Sequence, residues 1–118
     1  MRFLSLTALA ATLALVSTLP AEARQVRKQA DFVKALAGKT LTAGNSWLIL
    51  SADGKIKGVT GKGDKITGLW VWNKRFMCRN VYVGQKQLPQ DCQTVSIDGD
   101  TVTFTRERGK GPANTFSF

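Results

Sequence analysis

Hydrophobic spacing divides the chain into three stretches. Phe3–Val16 is a run of mostly Leu and Ala with a few hydroxyls and no charge, preceded by Met1-Arg2 and followed by Pro20 and Ala21-Glu22-Ala23. A positive leader, an apolar run and an A-x-A site read as a signal peptide over residues 1–23, cleaved near Ala23. The run is shorter than the ~20 residues a spanning helix needs, so no transmembrane segment is expected after cleavage. Residues 24–29 are polar and basic and read as a flexible N-terminus. Within Ala30–Ala37, Phe32, Val33 and Leu36 recur at helical spacing, with Asp31 in the first turn and Gly38 just past the end. This predicts one short helix. A helix of two turns is unstable alone, so it has to dock as a lid or plug.

From Lys39 onward the period changes to two. Short alternating runs are predicted as strands at Thr40–Thr42, Ser46–Ser51, Lys55–Thr60, Lys65–Trp72, Arg75–Val83, Cys92–Ile97, Thr101–Thr105 and Ala113–Phe118. Turn residues separate them, and Asp53-Gly54 and Asp98-Gly99 supply the positive φ of a tight hairpin. Gly84–Asp91 reads as a polar loop and Arg106–Pro112 as a basic, glycine-rich turn. The centre of this pattern is Gly68–Cys78, where Trp70 and Trp72 share a face, Asn73-Lys74-Arg75 forms the turn, and the first of two cysteines follows. On the next strand Phe76, Cys78, Asn80 and Tyr82 share one face, and Met77, Arg79, Val81 and Val83 the other. The expected fold is all-β: an antiparallel meander or small eight-strand barrel over residues 30–118, a single domain with one N-terminal helix. Closing eight strands also removes exposed edges.

The cysteine count adds a cross-link. Two cysteines in an exported chain read as one disulfide, Cys78–Cys92. It closes a loop of about 15 residues, for which chain entropy predicts ~3 kcal/mol.

Composition narrows the chemistry. The chain has no histidine, so no Ser-His-Asp or Cys-His arrangement can be built. Metal ligation is not expected from two cysteines already paired, and no cofactor is expected, because no G-x-G-x-x-G is present and Gly61-Lys62-Gly63 lacks phosphate-loop spacing. Asp53, Asp64, Asp98 and Asp100 sit beside glycines, where they serve turns. Asp91 lies in the loop before Cys92, and Glu107 stands between Arg106 and Arg108.

Charge and aromatics carry the functional reading. Lys and Arg number 17 against 8 Asp and Glu, a net charge of +9, and the predicted signal peptide removes one charge of each sign. Many of the bases fall at turns and strand ends. Turns that converge at one end would form a basic rim attracting polyanions: nucleic acid, acidic polysaccharide or anionic lipid head groups. Export favours an envelope polyanion over nucleic acid. Trp70 and Trp72 either pack the core or line a pocket mouth, and Phe76 and Tyr82 could extend such a surface. The candidate ligand-binding residues are Trp70, Trp72, Lys74, Arg75 and Arg79.

Leu36-Ala37-Gly38-Lys39-Thr40-Leu41, Asp53-Gly54, Gly68-Leu69-Trp70-Val71-Trp72, Phe76-Met77-Cys78-Arg79 and Asp91-Cys92-Gln93 resemble a family of small exported alpha-proteobacterial proteins. The resemblance spans nearly the whole mature chain. It implies a signal peptide, a short helix, and a W-x-W strand followed by two spaced cysteines. Some members carry the label dihydrodipicolinate reductase, which implies that activity as one possibility. Gly68-x-Trp70, the helix-then-meander order and the single disulfide are also similar to calycin-type barrels, which implies that architecture. The expected function is that of an exported, periplasmic or secreted, non-enzymatic protein binding an anionic cell-envelope component or a protein partner. A second expectation is an inhibitor of a secreted or periplasmic hydrolase, using Arg24–Gln29 or Gly84–Asp91 as the inserting segment.

Overall fold

A computed structural model describes Ala11 and residues 23–118. The signal peptide read over residues 1–23 lies, Ala11 and Ala23 apart, outside the described residues. The elements are β1 (Arg24–Val26), α1 (Gln29–Leu36), β2 (Leu41–Ala43), β3 (Ser46–Leu50), β4 (Lys55–Val59) and β5 (Lys65–Asn73). They continue with β6 (Phe76–Val83), β7 (Lys86–Gln87), β8 (Asp91–Asp98), β9 (Thr101–Thr105), α2 (Arg106–Gly109) and β10 (Ala113–Ser117). The predicted helix and eight predicted strands are all present, with ends within one residue of their predicted positions. Among the described residues no helix is long and apolar enough to cross a membrane.

The strands form a closed eight-strand antiparallel barrel. β2 through β6 pair in sequence, β8, β9 and β10 pair in sequence, and β10 returns to β2 through Ser117 opposite Thr42. The last seam joins β6 to β8 through three pairs: Met77 with Gln93, Cys78 with Cys92, and Arg79 with Asp91. Beyond those pairs the two strands separate, and each takes a short extra partner. β1 lies along Val95–Ile97 of β8, and β7 along Tyr82–Val83 of β6.

Two expectations are corrected here. Residues 24–29 are not a flexible basic tail, because Arg24–Val26 satisfies the backbone edge that β8 presents after leaving β6, and Val26 is buried. Gly84–Asp91 is not simply a loop, because Lys86–Gln87 folds back on β6. Arg106–Pro112 is a turn as expected, with Glu107 and Arg108 in the left-handed region at φ 55° and 56°. Long-range pairing and a turn dominated by Arg and Gly leave no period for a sequence reading to detect.

The period-two pattern sorts side chains between interior and exterior. Leu41, Leu50, Ile56, Trp70, Met77, Val95, Val102 and Phe104 point inward and form the core with Phe32 and Leu36 of α1. Helix α1 closes one end of the barrel. Phe32 is fully buried between Trp70 and Trp72, its ring centroid 5.0 Å and 5.2 Å from theirs. Burying Phe32 and Leu36 stabilises the docked helix by about 1.5–3 kcal/mol each, and the aromatic pairs add ~0.5–1.5 kcal/mol each. That is enough to hold two turns that would not persist in water.

Two inward positions of the barrel wall, Gly58 and Gly68, carry no side chain. A Cβ at Gly68 would collide with the Asn80 carbonyl and with Val81, and one at Gly58 with the Trp47 carbonyl. The neighbouring backbones have moved into the space that a side chain would fill. Gly68→Ala is therefore expected to destabilise the fold by ~1–3 kcal/mol through overpacking, measured by urea unfolding. Cys78→Ala/Cys92→Ala is expected to cost about 3 kcal/mol, with most of the loss reproduced by reducing the wild type.

Candidate ligand site

The predicted site residues separate into three groups. Trp70 and Trp72 lie on the inward face of β5, at the end that α1 plugs. Trp70 is 3 % exposed and its indole Nε1–H donates to the Ser51 carbonyl at 2.9 Å. The Trp72 Nε1–H donates to the Lys74 carbonyl at 2.8 Å. This bond steadies the β5–β6 turn, in which Lys74 holds a left-handed φ of 57°. Lys74 and Arg75 form the tip of that turn, with the Arg75 guanidinium 5.4 Å from the centre of the Phe76 ring. Together with Phe76 they share an open surface cleft with Arg108 and Lys110. The cleft brings the β5–β6 turn beside the β9–β10 connection. Arg79 goes elsewhere: it points into the barrel.

The interior holds a cavity of about 200 Å³ at the end away from α1. Its walls include Leu48, Ile66, Met77, Val81, Val83 and Phe104. Toward the β4–β5 and β6–β7 turns the lining side chains Ile66, Val83 and Leu88 become half-exposed, which marks the opening. Two buried polar side chains line this apolar space, Arg79 at 8 % exposure and Gln93 at 5 %.

Arg79 faces inward because it shares a period with Met77, Val81 and Val83. Its Nη1 donates to the Pro89 carbonyl at 2.9 Å. Among the described residues its other guanidinium N–H groups have no hydrogen-bonded acceptor. Burial pushes its pKa below the ordinary arginine value; Asp91 opposes that shift and Arg106 adds to it. An arginine so placed remains charged at neutral pH.

Asp91 organises the rim above Arg79. Its Oδ2 accepts from Gln93 Nε2 at 2.9 Å and lies 3.5 Å from Arg106 Nε, and its Oδ1 accepts from the Glu107 backbone N–H at 3.0 Å. One carboxylate therefore ties the start of β8 to α2 and stands opposite Arg79 in register. Burial alone would raise its pKa. The Gln93 and Glu107 hydrogen bonds, with the charges of Arg79 and Arg106, outweigh burial and hold it below the ordinary carboxylate value. Periodicity could not have found this role, because Asp91 meets its partners through a connection that lacks a period. Its place immediately before a paired cysteine was the only available cue.

Of the four turn aspartates, only Asp53 makes a side-chain hydrogen bond among the described residues. Asp53 accepts from the Ser51 hydroxyl and the Lys55 N–H across the β3–β4 turn. Among the described residues no cluster of metal-ligating side chains occurs. No family model, no curated protein and no solved structure matches the chain.

The Asp91 network has a pH signature. A carboxylate with a depressed folded-state pKa contributes stability that is complete above its unfolded value and lost as pH falls through the folded one. Wild-type stability is expected to drop below about pH 4, from the ordinary aspartate value of 3.8 downward, as followed by thermal unfolding. Asp91→Asn should be less stable than wild type at neutral pH and show a shallower acid decline.

Proposed function

We propose that this chain is a non-enzymatic binding protein of an exported compartment that takes a small organic anion with an apolar body into its barrel. The observation that carries this reading is Arg79, a residue 8 % exposed whose guanidinium makes one hydrogen bond to protein, set beside Gln93 in the wall of a largely apolar cavity. A buried charge is costly unless paired and hydrogen-bonded. Asp91 compensates it electrostatically, but it lies beyond ion-pair distance and is already engaged by Gln93, Glu107 and Arg106. A ligand carboxylate or phosphate could accept from the free guanidinium N–H groups in bidentate fashion, while its apolar part occupies the space bounded by Leu48, Ile66 and Phe104.

The cavity also bounds the size of the ligand. A dry cavity of ~150 Å³ holds one benzene ring, and drug-sized ligands use about 300–1,000 Å³. A ring or a short acyl chain suits the space here. An anionic component of the cell envelope, or an acidic fragment of one, has this combination of charge and apolar body. The Cys78–Cys92 disulfide is in keeping with an oxidising compartment. The excess of positive charge, including the cleft shared by Lys74, Arg75, Arg108 and Lys110, would steer anions toward the molecule.

Isothermal titration with hexanoate, hexanol and inorganic phosphate tests the reading. Hexanoate should bind saturably and at least about tenfold more tightly than either of the others. Hydrogen bonds to charged groups contribute ~1.5–3 kcal/mol, so Arg79→Met should weaken hexanoate by roughly 10–100-fold and leave hexanol little changed. If carboxylates of every chain length tried fail to bind, or Arg79→Met binds hexanoate as wild type does, the reading is wrong.

A further inference from the structure

We propose that the outward face of β3–β6 docks on an anionic lipid bilayer. This surface lies on the opposite side of the barrel wall from the cavity, and its assignment stands independently of the ligand proposed above.

Leu69, Val71 and Tyr82 are the exposed large hydrophobic residues among those described, at 61 %, 59 % and 44 %. They are not scattered. Leu69 and Val71 are two apart on the outer face of β5, Asn80 stands opposite Leu69, and Tyr82 is the next outward residue on β6. Leu69 and Tyr82 are thus diagonal neighbours, a separation that long side chains cover. The three form one stripe.

A row of lysines runs beside the stripe. On β4, Lys55 stands opposite Leu69 and Lys57 opposite Thr67, and Lys65 begins the outward row of β5. On the far side of the lysines, Ile49 of β3 stands opposite Lys57, and Trp47 opposite Val59. The outward positions of these four strands carry no carboxylate. Asp53 lies at the β3–β4 turn, where its 3.8 Å pair with Lys55 is exposed, and such pairs are weak. Among the described residues Lys57 and Lys65 form no ion pair within 4.0 Å. The remaining described carboxylates lie outside these strands: Asp31 on α1, Asp64 in the β4–β5 turn, Asp91, Asp98 and Asp100 on β8 and the turn that follows, and Glu107 on α2.

This pattern favours a bilayer over other occupants. A soluble polyanion would account for the lysines but not for the exposed Leu69 and Val71. A second copy would bring the lysine row of one molecule against that of another, in a chain whose net charge is already +9. A bilayer with acidic head groups meets both needs at once. Aliphatic and aromatic tips enter the head-group boundary, and lysines extend their charged ends to phosphate while their stems cover apolar surface.

Sedimentation with vesicles tests the proposal. The oxidised protein should partition onto phosphatidylcholine vesicles that contain phosphatidylglycerol and much less onto phosphatidylcholine alone, and salt should weaken the binding. Leu69→Ser/Val71→Ser and Lys57→Glu/Lys65→Glu each alter outward positions, and circular dichroism would check that both remain folded. Each pair should lower partitioning by about tenfold or more. The proposal is overturned if wild type does not partition, if neutral and anionic vesicles bind equally, or if the serine pair binds as wild type does. The last result would leave a purely electrostatic surface. Dimerisation in the ultracentrifuge that Leu69→Ser/Val71→Ser abolishes would assign the face to a second copy instead.

Discussion

Closure of the sheet between β6 and β8 is the constraint on which the rest of the structure depends. The seam is only three residue pairs long, and its two faces do different work. Outside, Cys78 and Cys92 stand directly opposite each other and are covalently joined. Inside, Arg79 stands opposite Asp91. Without the seam the sheet would remain open, its interior would be wet, and a guanidinium on its concave side would be an ordinary solvated charge. With the seam made, Arg79 is buried in the wall of a largely apolar cavity.

The two ends of the barrel are treated differently. At one end, Phe32 between Trp70 and Trp72 fills the cross-section with close-packed aromatic surface, and both indole N–H groups are satisfied by backbone carbonyls. At the other, Leu48, Ile66, Val81, Val83 and Phe104 line the wall and a cavity remains. The tryptophans thus hold a helix in place at the closed end, while the charged group of the interior lies toward the open one. Asp91 connects that interior to the surface, because the carboxylate facing Arg79 also holds α2 at the rim.

The outer surface follows from the same alternation. Every inward residue of β5 and β6 obliges its neighbour to face out, so the strands that place Trp70, Trp72 and Arg79 inside also display Leu69, Val71 and Tyr82. The lysines of β4 fall beside them because Ile56 must face the core. Polarity is thus distributed between the two faces of one sheet by a single register, and shifting that register by one residue would reverse both.

Much of this was legible in the chain before folding. The alternation of Thr101–Thr105, the Asp-Gly turns, the helical spacing of Phe32 and Leu36, and the two cysteines specify the elements and their order. Those signals are local, arising from backbone geometry over a few residues. The face shared by Met77, Arg79, Val81 and Val83 was visible too, with Arg79 as its one charged member. Whether that face was interior, and whether the interior was filled, could not be read locally. Nor could the pairing of β1 and β7, the left-handed turn at Glu107 and Arg108, or the convergence of Gln93, Arg106 and Glu107 on Asp91. These depend on contacts between residues distant in sequence, whose partners exist only once the barrel has closed. The chain by itself determined which side chains lie on a common face; tertiary structure decided which face was enclosed, because burial is a property of the closed sheet and not of any one strand.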